Sequence, residues 1–229
     1  MIINFLKKIK FIYENTSYSQ AGEDAIVRYL FKDYGIKNIT YLDLGTNKPN
    51  YGNNTYWFYS KNFRGVCVEA NPALYQLIKR TRKRDVVLNI GVSVNNDSTA
   101  PFYIFNEPAI NTFDISESDK RVKSGKYKLI KVVDVQLKSI NTIISENFKN
   151  FPDFLSIDIE GFDYKVLDSL DIDKYPIPVI CVETCNYSEI HIRPKDTNLI
   201  NLMLSKGYEI YADTYINTIF VNKKWFYKI

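Results

Sequence analysis

The chain has 229 residues, 45% of them hydrophobic and 24% charged, and 30 basic against 26 acidic side chains leave a net charge of +4. That composition fits one folded domain with a sizeable core and excludes a disordered segment. The basic excess is small and interleaved with acids, so no nucleic-acid partner is expected.

The N-terminus, MIINFLKKIKFIY, puts Ile2, Phe5, Leu6 and Ile9 at helical spacing with lysines opposite. Lys7, Lys8 and Lys10 break any signal-peptide core, and no run approaches the ~20 apolar residues that span a bilayer. Residues 1–17 are therefore expected to form a helical arm packed on the domain or on a second copy, as in a homodimer, without stable membrane insertion. Cys67 and Cys181 lie in apolar runs, Cys185 has no matching pair, and the chain has one histidine. Reduced thiols in a cytoplasmic protein are expected, not a disulfide framework or a zinc site.

In chain order, residues 18–34 predict a helix, with Ser19 as N-cap, Glu23 and Asp24 in the first turn and Ile26, Val27, Leu30 and Phe31 as its apolar stripe. Residues 39–45 predict a strand that ends on Asp43 and breaks into the loop of YLDLGTNKPNYGNN, where Gly45 and Gly52 would let a ligand approach the backbone. A helix follows over 56–61. The runs RGVCVEANP (64–72) and DVVLNIGVS (85–93) predict two more strands, with a helix opened by Pro72 between them.

Two strand-like pieces, 100–105 and 129–135, flank a polar, aperiodic stretch read as a surface loop over 106–126. A helix near 139–147, a strand over 153–161, a helix over 163–170 and a strand over 178–184 restore the alternation. A last helix over 196–206, stopped by Gly207, precedes a hairpin turning through 212–215. The pattern is that of a single α/β domain over 1–229, built from βαβ units with a parallel sheet.

Asp43, Glu69, Asp158 with Glu160, and Glu183 all fall at carboxyl ends of predicted strands, where open parallel sheets bind ligands. Glu69 follows Gly45 at the offset at which an acid reaches both hydroxyls of a ribose. GxGxxG and GK[ST] are both absent, so a cofactor with ribose and adenine but no phosphate fits best, and S-adenosylmethionine is that cofactor. Asp158 and Glu160 share a face, and His191 follows the fifth parallel strand, so these three are the candidate catalytic bases. A divalent metal on Asp158, Glu183 and His191 is a further candidate.

YSQAGEDAIV (18–27), YLDLGTNKPNYGNNTYWF (41–58), GVCVEANP (65–72) and FLSIDIEGFDYKVL (154–167) together resemble FkbM-type S-adenosylmethionine-dependent methyltransferases. The resemblance implies a Rossmann-like class I fold: a seven-stranded, mostly parallel sheet with an antiparallel last strand and helices on both faces. It also implies that Asp43, Gly45 and Asn47 line the methionine part, with Asn54 and Thr55 near its carboxylate. Glu69 would hold the ribose, Ala70 with Asn89, Ile90 and Gly91 would border the adenine, and Gln20 would close the pocket. Asp158 would lie near the cofactor amine or the substrate, and Glu160 beside the acceptor. Lys48 and Pro49 depart from the small residue usual in that loop. The implied activity is O-methylation of a sugar hydroxyl, nucleotide-linked or in a glycan, in bacterial surface polysaccharide or secondary-metabolite synthesis. A non-sugar acceptor and a non-catalytic cofactor-binding module are the alternatives. A nucleic-acid amino-methyltransferase is disfavoured because IEGF stands where an NPPY-type motif would be.

Overall fold

The computed structural model describes residues 16–96, 99–159, 161–185 and 194–228, so residues 1–15 of the expected arm, Glu160 and His191 lie outside the described residues. The elements run α1 (Glu23–Asp33), β1 (Thr40–Leu44), α2 (Tyr56–Ser60), β2 (Arg64–Val68), α3 (Pro72–Thr81), β3 (Val86–Leu88) and β4 (Gly91–Ser93). They continue with β5 (Thr99–Phe105), a 3-10 turn (Pro108–Ile110), α4 (Ile115–Lys123), β6 (Leu129–Ser139), α5 (Ile140–Asn147) and β7 (Phe154–Ile157). The last are α6 (Asp163–Ser169), β8 (Val179–Glu183), α7 (Thr197–Ser205), β9 (Tyr208–Asp213), β10 (Asn217–Asn222) and α8 (Lys223–Tyr227).

Seven strands form the main sheet in the order β3-β2-β1-β7-β8-β10-β9. β3, β2, β1, β7 and β8 are parallel to one another, and β10 enters antiparallel between β8 and β9. The expected topology, antiparallel last strand included, is therefore present. Alternate side chains of the central strands enter two apolar layers. Leu42, Leu44, Leu155, Ile157, Ile180 and Val182 meet Ile140, Ile143 and Ile144 of α5, Val166 and Leu167 of α6, and Leu199 and Met203 of α7. Tyr41, Phe154, Val179, Cys181, Ile219 and Val221 meet Val27, Leu30 and Phe31 of α1 and Phe58 of α2. Each fully buried aliphatic side chain contributes about 1.5–3 kcal/mol, so these two layers hold the carboxyl edge of the sheet rigid. All three cysteines are buried and none is in a disulfide.

The structure differs from the sequence reading in three places. Residues 85–93 are not one strand: β3 pairs with β2, whereas β4 joins a second sheet of order β4-β6-β5, and the break falls at Asn89 and Ile90. The stretch 106–126 is not without regular structure, because Asp114 caps α4 by accepting from the Ser116 and Glu117 amides. That helix shows no apolar period because Ile115 and Val122 are exposed and its buried residue is Ser118. Gly22, not Ser19, is the N-cap of α1; Ser19 Oγ instead accepts from the Gly22 amide at 3.1 Å. Asp24 stands in the first turn of α1, as expected. It is fully buried and accepts from Ser17 Oγ at 2.6 Å and the Tyr18 amide at 2.8 Å, which ties the segment before α1 to the domain.

Candidate active site

The loop after β1 stands on a buried ionic network. Asp43, 3% exposed, accepts from Thr55 Oγ1 at 2.7 Å and Asn53 Nδ2 at 3.0 Å. Beneath it Arg82, 0% exposed, reaches Asp43 at 3.5 Å and Asp85 at 2.8 Å, and donates to Asn53 Oδ1 at 3.2 Å and Thr55 Oγ1 at 2.9 Å. Burial raises the Asp43 pKa, opposed by the Arg82 guanidinium and the two hydrogen bonds. Burial also works against the Arg82 charge, but the acids around it outweigh that and keep it protonated. Asn53, Arg82 and Asp85 are not expected from sequence, since nothing marks Arg82 among the basic residues of KRTRKRD.

Gly45 sits at φ +81°, and a Cβ there would lie 1.9 Å from the Asp158 carbonyl oxygen. The neighbouring strand end by itself requires its bare backbone, and the contact fixes the β1 loop against β7. The cleft above is lined by Gln20, Asp43, Gly45, Asn47, Asn54, Ser156, Asp158 and Asn217, among others, and among the described residues the lining has two carboxylates and no Lys or Arg. Asn47 holds a positive φ of 53°, and its Oδ1 is buried without a hydrogen-bond partner. Thr55 is fully buried and supports Asp43 from below, so it does not line the cleft.

Glu69 follows β2 and is 6% exposed. Its Oε2 accepts from the Asn47 amide at 2.9 Å and its Oε1 from the Asn71 amide at 2.8 Å, so each oxygen keeps a lone pair for a further donor. Burial pushes its carboxyl up to about 7 despite those two bonds. Asn89 Nδ2 donates to the carbonyls of Glu69 and Ala70, at 2.8 and 3.0 Å, which joins the break between β3 and β4 to the end of β2. Ile90 is buried in the core, and a Cβ on Gly91 would strike the Phe113 ring at 2.5 Å, so these two act through packing.

A family model described as the methyltransferase FkbM domain matches residues 43–210. The chain belongs to the FkbM methyltransferase family. Among solved structures it is similar to a TehB-like SAM-dependent methyltransferase from Corynebacterium glutamicum, with TM-score 0.46 and 9% identity over 96% of this chain and 97% of that one. Monomeric WbdD aligns with TM-score 0.49 and 10% identity over 93% of this chain and 44% of that one. A Burkholderia thailandensis 1,6-didemethyltoxoflavin-N1-methyltransferase aligns with TM-score 0.43 and 10% identity over 96% of this chain and 83% of that one. Nothing matches among curated proteins.

The residues fit S-adenosylmethionine, the cofactor implied for an FkbM methyltransferase. Glu69 keeps one lone pair on each oxygen, as a pair of ribose hydroxyls would need, and the orphaned Asn47 oxygen and a lining without Lys or Arg among the described residues suit a ligand that carries positive charge. In the lining of this cleft Asp158 follows β7, and Glu183 ends β8, one register step beyond the Ile157–Val182 pair. Burial and the hydrogen-bonded Glu183 carboxyl push Asp158 well above the usual carboxylate range. Asp163 accepts from the Ile159 and Gly161 amides, both at 3.2 Å, and so braces the turn that carries Asp158. Among the described residues no group of three His, Cys, Asp and Glu side chains is placed to hold a metal, so the expected metal set of Asp158, Glu183 and His191 has no support there. No helix among the described residues is long and apolar enough to cross a membrane.

Proposed function

We propose that this FkbM methyltransferase is an S-adenosylmethionine-dependent O-methyltransferase acting on a sugar hydroxyl. The observation that carries the reading is the Asp158–Glu183 carboxyl pair, of which Asp158 lines the cofactor cleft. An alcohol must shed its proton as it takes a methyl group, so it needs a positioned base, whereas a neutral amine attacks without one. The cofactor supplies an electrophilic methyl group when bound. Asp158 accepts the hydroxyl proton, Glu183 keeps it basic enough to do so near neutral pH, and Asp163 holds its turn in place. The sugar acceptor follows from the family resemblance. Incubation with methyl-labelled S-adenosylmethionine and a panel of nucleotide-linked sugars should place the label on oxygen. Label on nitrogen, or none on any hydroxyl acceptor, would sink the reading.

Two further results are expected. Because Asp158 works only when ionised, the acid limb of kcat/KM should lie above the ordinary carboxylate range. Removing the neighbouring charge with Glu183→Gln should move that limb to lower pH, and a limb that stays where it was would separate Glu183 from the base. At Glu69, two charge-assisted hydrogen bonds to the ribose are worth about 1.5 kcal/mol or more each, so Glu69→Ala should weaken cofactor binding on the order of 100-fold by calorimetry. With a carboxyl at about 7, wild-type affinity should rise as pH increases through that value, and the variant should lose this dependence. Unchanged affinity in the variant removes Glu69 from the ribose.

A further inference from the structure

The cleft ends on Asn217, the first residue of β10, opposite Glu183 in the antiparallel register. It is 5% exposed, and its Nδ2 donates to Glu23 Oε1 at 2.8 Å. Thr214 Oγ1 donates to the same oxygen at 2.7 Å, and the Ala21 amide to the other at 2.9 Å. Burial works against the Glu23 charge, but these donors together hold its pKa below the usual value, so it remains a carboxylate.

A carboxylate can only accept, so Asn217 must turn its nitrogen to Glu23 and leave Oδ1, which accepts no hydrogen bond among the described residues, to the cleft it lines. Asn54 is set the same way: its Nδ2 is committed to Ser156 Oγ at 3.1 Å and Cys181 Sγ at 3.7 Å. Two amides presenting oxygen, the orphaned Asn47 Oδ1 and the Asp43 carboxylate surround one space whose lining among the described residues includes no Lys or Arg. With Arg82 beneath Asp43 and outside this lining, the acceptors that face the cleft select a group that is all donor and positive, and a primary ammonium has three donors and no acceptor.

We propose that Asn217, oriented by Glu23, binds the ammonium group of the cofactor's amino-acid end, with Glu23 as the positioning residue that stops the amide from turning over. The inference rests on the reading of the cleft as the S-adenosylmethionine site. It also gives a purpose to Glu23 in YSQAGEDAIV: the first turn of α1 is tied to the far end of the sheet so that one amide faces one way.

Calorimetry on the full chain with two probes tests it. S-adenosylhomocysteine carries the ammonium; its deaminated analogue keeps the nucleoside, thioether and carboxylate but lacks that group. Asn217→Ala should weaken S-adenosylhomocysteine about tenfold or more, the size of one charge-assisted bond, and leave the analogue unchanged. Glu23→Gln should act in the same direction by a smaller factor, since a Gln amide no longer dictates which way Asn217 turns. A partly unfolded preparation lowers the binding fraction for both probes alike, so the ratio of the two affinities on one preparation decides. Equal weakening of both probes, or of neither, overturns the proposal. Wild-type protein that binds neither probe overturns the cofactor reading and the proposal with it.

Discussion

Asp158→Asn should lower turnover about a thousandfold while S-adenosylmethionine affinity stays within a factor of about three. The substitution keeps size and shape, and the contact between Gly45 and strand β7 is made by the Asp158 backbone, so the loop that holds the cofactor is not disturbed. What is lost is the ability to take a proton. The new amide can donate to Glu183, replacing two carboxyls pressed together by an ordinary donor and acceptor. Stability should therefore hold or rise in the variant that loses activity, the trade-off of a group kept for chemistry. Single-turnover transfer of labelled methyl separates the outcomes: equal losses in transfer and in affinity would move Asp158 from the base to the binding shell.

The parts legible in the sequence share one physical origin. β1, β7 and β8 are buried on both faces, β1 and β7 between parallel neighbours and β8 between β7 and the antiparallel β10, so each reads as an unbroken apolar run, and the acid that ends the run lies at the carboxyl edge. That is why the sequence alone places Asp43, Glu69, Asp158 and Glu183 at one edge of the sheet. Contacts between distant segments leave no such trace: Glu23 meets Asn217 across 194 positions, and no local pattern connects them. Gly45 stands out in the sequence as a ligand-facing glycine, but the second demand on it, φ +81° against the Asp158 carbonyl, comes from a strand far along the chain and leaves no local trace. α4 escapes a reading by periodicity because, with Ile115 and Val122 exposed, it has no apolar stripe to betray it.

Arg82→Met should produce the largest loss of stability, about 3–5 kcal/mol, because it leaves Asp43 and Asp85 with buried carboxyls and no counter-charge. Against a typical total of about 5–15 kcal/mol, that would lower the melting temperature on the order of 10 °C. Met fills much of the arginine stem's space between the Tyr41 and Tyr59 rings, so the loss reports on charge and hydrogen bonds more than on a cavity. The pH dependence distinguishes the two causes. Asp43 already sits above its usual pKa, with Arg82 as the main influence opposing the rise, so removing Arg82 raises it further. A carboxyl whose folded pKa exceeds the unfolded one favours the native state at low pH and loses that contribution as pH rises. The deficit of Arg82→Met should accordingly be smaller near pH ~5 than near pH ~8, and Asp43→Asn should recover part of it at the higher pH. A deficit independent of pH would assign the loss to packing alone. Because the same guanidinium holds Asn53 and Thr55, the variant that still folds should also bind S-adenosylmethionine more weakly, through a β1 loop no longer held from beneath.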